Sequence, residues 1–309
     1  MKTLNLQTND GAQITAYTFA PILKKGSPKV LITAMLHGDE STAKKVAQAL
    51  IEKLKNEKLI GTVTIIPKVN EAAAKIGSRR HPEDDKDLNR QFKNIKNKTA
   101  SNHLADELMK LAEDYDYGVD LHVFPGEHSP VVTVCVARGD EKVQAEAERL
   151  QEIVGPDVIW KLDPFKGETE KFGTLMGYLL NKGKPAFGIE MPPEDLVLDR
   201  QLEKIVNGLI KLLIEVKIIE GTKPQTTKNI PRMKRQLLKI EEPGRFVPAT
   251  TKLLKPVSKG QVMGTFYPER TNKPVEIVSP FSGPLMTIAQ DGPVTVGEKF
   301  IAVGLQLSW

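Results

Sequence analysis

The stretch "VLITAMLHGDESTAKKVAQAL", residues 30–50, constrains the fold more than any other part of the chain. An almost unbroken apolar run from Val30 to Leu36 is what a strand covered on both faces of a sheet looks like. Beyond it Ala43, Val46, Ala47, Leu50, Ile51 and Leu54 recur at helical spacing, so the chain turns from strand to helix across Gly38. Open α/β sheets bind ligands at such an edge, and His37, Asp39 and Glu40 stand on it.

The alternation continues. "GTVTIIPKVN", "YGVDLHV", "PVVTVCVA" and "KPAFGIEM" read as strands, whereas "SNHLADELMKLAEDY", "EKVQAEAERLQEIV" and "DRQLEKIVNGLIKLLIEVK" read as amphipathic helices. Strands alternating with helices predict a layered α/β domain over residues 1–225. Residues 69–99 lack periodicity and carry Gly77, Pro82 and many charges, which predicts an ordered functional loop. After "GTKPQTTKNIP" the runs become short and are punctuated by Gly and Pro, which predicts a small all-β domain over 226–309. "PVSKGQVMG" at 256–264 and "PVTVGEKFI" at 293–301 share Pro-Val-[Ser/Thr]-x-Gly, so this region is expected to be a pseudo-symmetric barrel or sandwich of two related halves.

Of the 309 residues 40% are hydrophobic and 27% charged, enough for a sizeable core. The net charge of +5 is spread through lysines such as those of "KNIKNK", without basic repeats, which argues against nucleic acid as a partner. No segment is apolar enough for a membrane span or a signal peptide, so a membrane association is not expected and the cytoplasm is the expected location. Self-association into a homo-oligomer is left open. The lone Cys135 lies in an alternating apolar run and is expected to be a buried strand residue without a role.

A histidine ending a strand and a glutamate three residues on can face one pocket and hold a metal ion. Alternatively, Asp39 and Glu40 merely complement the positive end of the following helix. "YGVDLHVF" tips the balance, because a second apolar strand ends in His122. Catalytic zinc sites use three ligands from His, Glu and Asp and keep one position open, and His37, Glu40 and His122 supply such a set. Asp120 shares a strand face with His122, as an outer partner of the ligand or as a solvated strand end. Glu190 in "PAFGIEMP" is either an exposed acid or a carboxylate placed to move protons. Arg79, Arg80, Asn89 and Arg90 suit carboxylate recognition, although four acids between 79 and 90 also fit a charge-balanced surface loop. His81, His103 and His128 are expected at the surface.

With His37-Gly-Asp-Glu40, "DLNR" at 87–90, "DLH" at 120–122 and Glu190 in that order, the chain resembles the succinylglutamate desuccinylase/aspartoacylase family, itself related to zinc carboxypeptidases. The resemblance implies a three-layer α/β/α zinc-carboxypeptidase-like domain with a mixed sheet. It implies one zinc ion per chain on His37, Glu40 and His122, Glu190 as general acid/base, and Arg79 polarising the scissile carbonyl. Asn89 and Arg90 would grip the carboxylate of a small anionic N-acyl amino acid, whose amide bond is cleaved. The nearest alternative is a zinc carboxypeptidase acting on peptide C-termini; the remote one is a noncatalytic metal-binding or carrier protein. Two departures stand out: "DLNRQFKNIK" lacks the Pro-Gly that follows the motif in relatives, and "VFPGEHSP" after His122 offers no arginine for an acidic acyl group. Residues 269–285 resemble a lipoyl or biotinyl carrier hairpin with Lys273 at its turn. The spacing to Ser279-Pro280 is one residue short and Pro274 follows directly, so an unmodified barrel of that type is expected.

Overall fold

The apolar runs become the central strands of one large mixed sheet. The computed structural model describes residues 1–7, 13–21, 26–96, 98–136, 140–162, 173–296 and 299–307. In chain order the first elements are β1 (Lys2–Gln7), β2 (Gln13–Phe19), β3 (Lys29–Ala34), α1 (Ser41–Leu54), β4 (Thr62–Ile66), α2 (Glu71–Lys75), α3 (Ala100–Ala112) and β5 (Tyr117–Val123). Then follow β6 (Glu127–His128), β7 (Val132–Val136), α4 (Glu141–Val154), β8 (Val158–Leu162), α5 (Leu175–Asn181), β9 (Ala186–Met191) and α6 (Asp199–Glu215). Strands fill the remainder: β10 (Arg232–Lys239), β11 (Gly244–Pro248), β12 (Pro256–Val257), β13 (Val262–Pro268), β14 (Val275–Val278), β15 (Gly283–Ala289), β16 (Gly292–Val294) and β17 (Lys299–Gln306).

The sheet order is β1-β2-β4-β3-β5-β9-β7-β8-β10-β17-β15-β12, with β6 attached to β15. The centre, β4-β3-β5-β9, is parallel, while β2, β7 and the outer strands bring in antiparallel pairs. Side-chain alternation divides the core. Val30, Ile32 and Ala34 of β3 join the apolar faces of α1 and α6 on one side. Leu31 joins α3 and α5 on the other. In α6 the buried stripe Ile205, Val206, Leu209, Leu212 and Leu213 seals its face of the sheet, each side chain contributing roughly 1.5–3 kcal/mol. Gly118, Asp120 and His122 fall on the α5 face of β5, where a side chain at Gly118 would strike Leu179. Polar residues thus occupy a buried sheet face at the carboxyl ends of β3, β5 and β9.

The C-terminal strands reproduce the repeat read from the sequence. The order β14-β13-β11-β16 of the separate antiparallel sheet matches the order β10-β17-β15-β12 at the end of the large sheet. Exchanging β10 with β14, β11 with β15, β12 with β16 and β13 with β17 maps every pairing among these eight strands onto another. Val257 and Val294, the valines of the two Pro-Val motifs, are both buried. The two regions are not joined by a linker alone. β10 pairs in parallel with β8 through Arg232↔Ile159 and Met233↔Trp160, and β6 pairs with β15.

Three details differ from the expectations. β3 ends at Ala34, because Met35 adopts a left-handed φ of 55° and bends the chain two residues before His37. The 69–99 segment holds the short α2 and a single 3-10 turn at Leu88–Arg90, which the lack of periodicity concealed. His81 is buried rather than at the surface, with Nδ1 accepting from the Glu83 amide, and His103 and His128 are half-buried. The side chain of Cys135, expected to be buried, lies outside the described residues. Lys273 sits in the exposed connection between β13 and β14. Among the described residues no helix is long and apolar enough to cross a membrane.

Candidate metal centre and its cavity

The bend at Met35 is held from both sides. Ala34 and Met35 carbonyls accept from Val69 and Asn70 amides at 3.0 Å each, and the Gly38 amide donates to the Ser78 carbonyl at 2.8 Å. Gly38 is packed so closely under α2 that a Cβ there would lie 2.2 Å from the carbonyl carbon of Ala73. A backbone strained at one residue and clamped at its neighbours is typical of a site whose geometry matters. It delivers His37 into the protein interior and sets Glu40 just before the first turn of α1.

There the residues separated in sequence converge. His37 Nδ1 lies 2.7 Å from Glu40 Oε1, and His122 Nδ1 lies 3.0 Å from Glu40 Oε2. One ligand atom from each of the three falls within 4.8 Å of the others, and all three residues are buried. The second nitrogen of each ring is held from behind: Asp87 Oδ1 accepts from His37 Nε2 at 2.9 Å, and Asp120 Oδ2 from His122 Nε2 at 2.6 Å. Asp120 is itself fixed by the Thr33 hydroxyl at 2.7 Å. Carboxylates behind both imidazoles orient them and raise their basicity, which is the usual outer arrangement of a metal ligand. Asp120 therefore acts as a partner of His122, and Asp87, for which the sequence suggested no role, does the same for His37.

The electrostatics match. Burial alone would raise the Glu40 pKa, but the charges of His37 and His122 and their hydrogen bonds bring it down to about 2. Burial would lower both histidines, yet Glu40 with Asp87 raises His37, and Asp120 with Glu40 raises His122 well above its ordinary value. Protons between the two Nδ1 atoms and the one buried carboxylate thus hold the group together. A divalent cation in their place would satisfy the same Nδ1 atoms and the same carboxylate, so the donor set fits a metal ion.

The other singled-out residues gather around this group. Arg79 Nη1 lies 3.7 Å from Glu40 Oε1, and its Nη2 donates to Asp87 Oδ2 at 3.1 Å. Asn89 is buried: its Nδ2 lies 3.1 Å from His122 Nε2, and its Oδ1 accepts from the Leu175 amide at the start of α5. Arg90 Nη1 donates to the Asn89 carbonyl at 2.8 Å. Glu190 stands opposite His122 in the β5–β9 register and is half-buried. All of them, with the three metal-site residues, line one cavity of about 640 Å³. Arg80 instead turns outward to the Asp85 carbonyl.

The cavity wall also contains residues that sequence reasoning missed. Trp160 of β8 and Lys234, Arg235 and Leu237 of β10 line it as well. The Arg235 guanidinium carbon lies 3.5 Å from the Trp160 ring centroid and 5.0 Å from that of Phe124. In sequence, "RMKRQLLK" is a basic strand like many others, and nothing local marks its arginine as facing a site more than a hundred residues away.

A mixed α/β sheet with a buried His-Glu-His group at the carboxyl ends of its parallel strands defines a protein able to hold one metal ion above a small-molecule cavity. The chain belongs to the succinylglutamate desuccinylase/aspartoacylase family, whose catalytic-domain model matches residues 26–215. An N-alpha-acetyl-L-2,4-diaminobutyric acid deacetylase of Halomonas elongata is 33% identical over 103 residues, a match spanning 33% of this chain and 30% of the relative's length. Among solved structures, the product-bound ectoine utilization protein EutE (DoeB) of Ruegeria pomeroyi superposes with a TM-score of 0.81 at 23% identity, covering 98% of this chain and 93% of that one. An aspartoacylase family protein of Mesorhizobium loti gives 0.82 at 21% identity, covering 100% and 95%. At these identities the likeness establishes the fold.

Proposed function

We propose that the protein is a zinc-dependent deacylase that hydrolyses the amide bond of a small N-acyl amino acid, releasing the acyl acid and the free amino acid. The observation that carries this reading is the meeting of His37 Nδ1, the Glu40 carboxylate and His122 Nδ1 inside a cavity whose volume suits one small molecule. Family membership and the deacetylase relative support the choice of bond. In this reading residues 1–225 form a zinc-carboxypeptidase-like catalytic domain and residues 226–309 a lipoyl/biotinyl-type barrel.

Zinc held by His37, Glu40 and His122 would supply Lewis acidity to the scissile carbonyl and the attacking water. Glu190 accepts the proton of that water and delivers it to the leaving nitrogen, work of a kind worth about 10²–10⁴-fold in rate. Arg79, held beside Glu40 by Asp87, faces the carbonyl oxygen as negative charge develops on it. Asn89 and Arg90 receive the α-carboxylate of the substrate.

The test is a comparison of two panels on zinc-loaded protein: short N-acyl amino acids, and tripeptides or longer peptides with free C-termini. Release of free amino acid from the first panel with little cleavage of the second is expected, because a cavity of about 640 Å³, lined in part by β10, suits a small acyl group better than a peptide chain. Faster release of C-terminal residues from peptides would replace the deacylase by a carboxypeptidase. Inactivity on both panels with zinc bound would leave a noncatalytic metal-binding protein.

A further inference from the structure

We propose that Gly188 is a specificity-determining residue: the room left by its missing side chain, beside Val134, Val136 and Met176, seats the apolar hydrocarbon of the substrate's acyl group. This rests on the N-acyl amino acid reading above. The first support is a glycine that the protein itself does not require. Gly188 lies inside β9, a central strand, where glycine weakens the strand and usually marks a close approach by something else. Its φ is outside the left-handed region. A Cβ at Gly38 would lie 2.2 Å from the Ala73 carbonyl carbon, and one at Gly173 would lie 2.1 Å from the Arg90 carbonyl oxygen, so backbone packing forces glycine at both. At Gly188 such a Cβ would meet Val134 Cβ at 3.7 Å, the Asp120 carbonyl oxygen at 3.8 Å and His122 Cδ2 at 3.9 Å, all ordinary contacts. Neither conformation nor packing excludes alanine. What remains beside this residue is the cavity, which it lines.

The second support is position. In the sheet register Gly188 stands between Asp120 of β5 and Val134 of β7. Two residues along the same strand face is Glu190, which is opposite His122. A group resting on Gly188 is therefore next to one of the three metal-site residues and next to the carboxylate assigned to proton transfer, so it belongs to the part of the substrate around the scissile carbonyl.

The third is chemistry. Val134, Val136 and Met176 line the cavity with Gly188, and all three are buried. Their side chains offer neither charge nor hydrogen-bond donors, so this wall does not suit the α-carboxylate assigned to Asn89 and Arg90; it suits an apolar part of the substrate. In an N-acyl amino acid the apolar part joined directly to the scissile carbonyl is the acyl hydrocarbon. A methyl or short alkyl chain there rests against the Gly188 backbone, which a side chain at that position would keep at a distance.

Gly188→Ala adds a methyl group to this floor and Gly188→Val an isopropyl group. The readout is the ratio of kcat/KM for N-acetyl over N-formyl forms of whichever amino acid the parent releases fastest from a panel. That ratio should fall by about tenfold in Gly188→Ala, the worth of one methyl in an apolar pocket, with zinc content at the parent level. Changing the amino-acid part at fixed acetyl should leave the effect of the substitution the same. Calorimetric binding of formate, acetate, propionate and butyrate to the zinc-loaded protein reads the subsite without turnover: each added CH₂ should tighten binding to the parent by about fourfold, and this increment should vanish in Gly188→Val. The alanine variant, whose Cβ fits without movement, decides the matter should the valine variant not fold. If no N-acyl compound is hydrolysed but the dependence of carboxylate binding on chain length is abolished by substitution at Gly188, the deacylase reading fails and this assignment stands. An acyl preference identical in the parent and a folded, zinc-loaded Gly188→Ala, carboxylate binding to the parent that ignores chain length, or a preference that shifts among amino-acid parts instead of acyl groups would each overturn it.

Discussion

The metal centre and the β10 wall of the same cavity are finished to different degrees. Around His37, Glu40 and His122 each imidazole nitrogen and both Glu40 oxygens have partners, and Asp87 and Asp120 brace the rings from behind. At Arg235 two buried nitrogens have none among the described residues. The first region resembles a site whose occupant is a small ion that the surrounding groups already anticipate in charge. At the second, the Trp160 and Phe124 rings rather than hydrogen-bond acceptors flank the charged group. The two regions also differ in origin: one comes from parallel strands buried on both faces, the other from the C-terminal β strands, of which β10 pairs in parallel with β8.

Variants can break or sharpen that contrast. The largest effect is expected at the metal centre. His37→Ala and His122→Ala should lower zinc content from about one ion per chain to near zero, because each removes a ligand and leaves Glu40 buried with one fewer partner; elemental analysis after dialysis measures it. Parent-like zinc in both variants would dismantle the centre.

Next comes Glu190→Gln, which should retain zinc and the folded state while turnover falls by about 10²–10⁴-fold. Steady-state kinetics on zinc-loaded protein check it, and near-normal turnover would remove Glu190 from the reaction.

Phe246→Ala tests the independence of the β region. Phe246 is fully buried there and packs edge-on against Phe300 at 5.2 Å between ring centroids. Its truncation should cost about 3–5 kcal/mol in denaturant unfolding while zinc stoichiometry stays at the parent level. Loss of zinc alongside stability would show that the two regions are less separable than their cores suggest.

The smallest effect concerns the loop that carries Arg79 and Asn89. Asp84 accepts from the Ser101 amide at 3.0 Å and hydroxyl at 2.8 Å and from the Thr99 hydroxyl, tying the loop to the start of α3. Burial raises its pKa, but these hydrogen bonds outweigh it and leave the carboxyl below its ordinary value. A depressed folded-state pKa contributes stability that is present above the unfolded value, about 3.9, and is lost as pH falls through the folded value. Asp84→Asn should therefore be about 1 kcal/mol less stable than the parent at pH 7, and the two should converge as the pH is lowered below 4. A difference that persists unchanged in acid would assign the effect to something other than the carboxylate charge.

Legibility in the sequence followed the range over which each signal acts. The β3–α1 unit is local: an apolar run, a glycine and a helical stripe lie within residues 30–54, so strand, turn and the emergence of His37 and Glu40 could be read directly. The C-terminal pseudo-symmetry was also readable, since a repeated Pro-Val-[Ser/Thr]-x-Gly motif repeats its strand pairings. The bend at Met35 was not, because nothing in an apolar run announces a left-handed residue; it exists because α2 and the Ser78 carbonyl hold the chain there. His81 was misplaced for the same reason: a histidine beside proline and acids looks exposed until the loop folds back over it.

By itself the sequence determined which residues could bear the chemistry, the alternation that makes a layered sheet, and the ordered set of short motifs that marks the family. Only the tertiary structure decided that Asp87 braces His37, that Asn89 lies against His122, and that Arg235 of β10 reaches the same cavity. These are contacts between elements remote in the chain, set by the 69–99 loop folding over the strand ends and by the pairing of β10 with β8, and no local periodicity encodes which segment will be a neighbour.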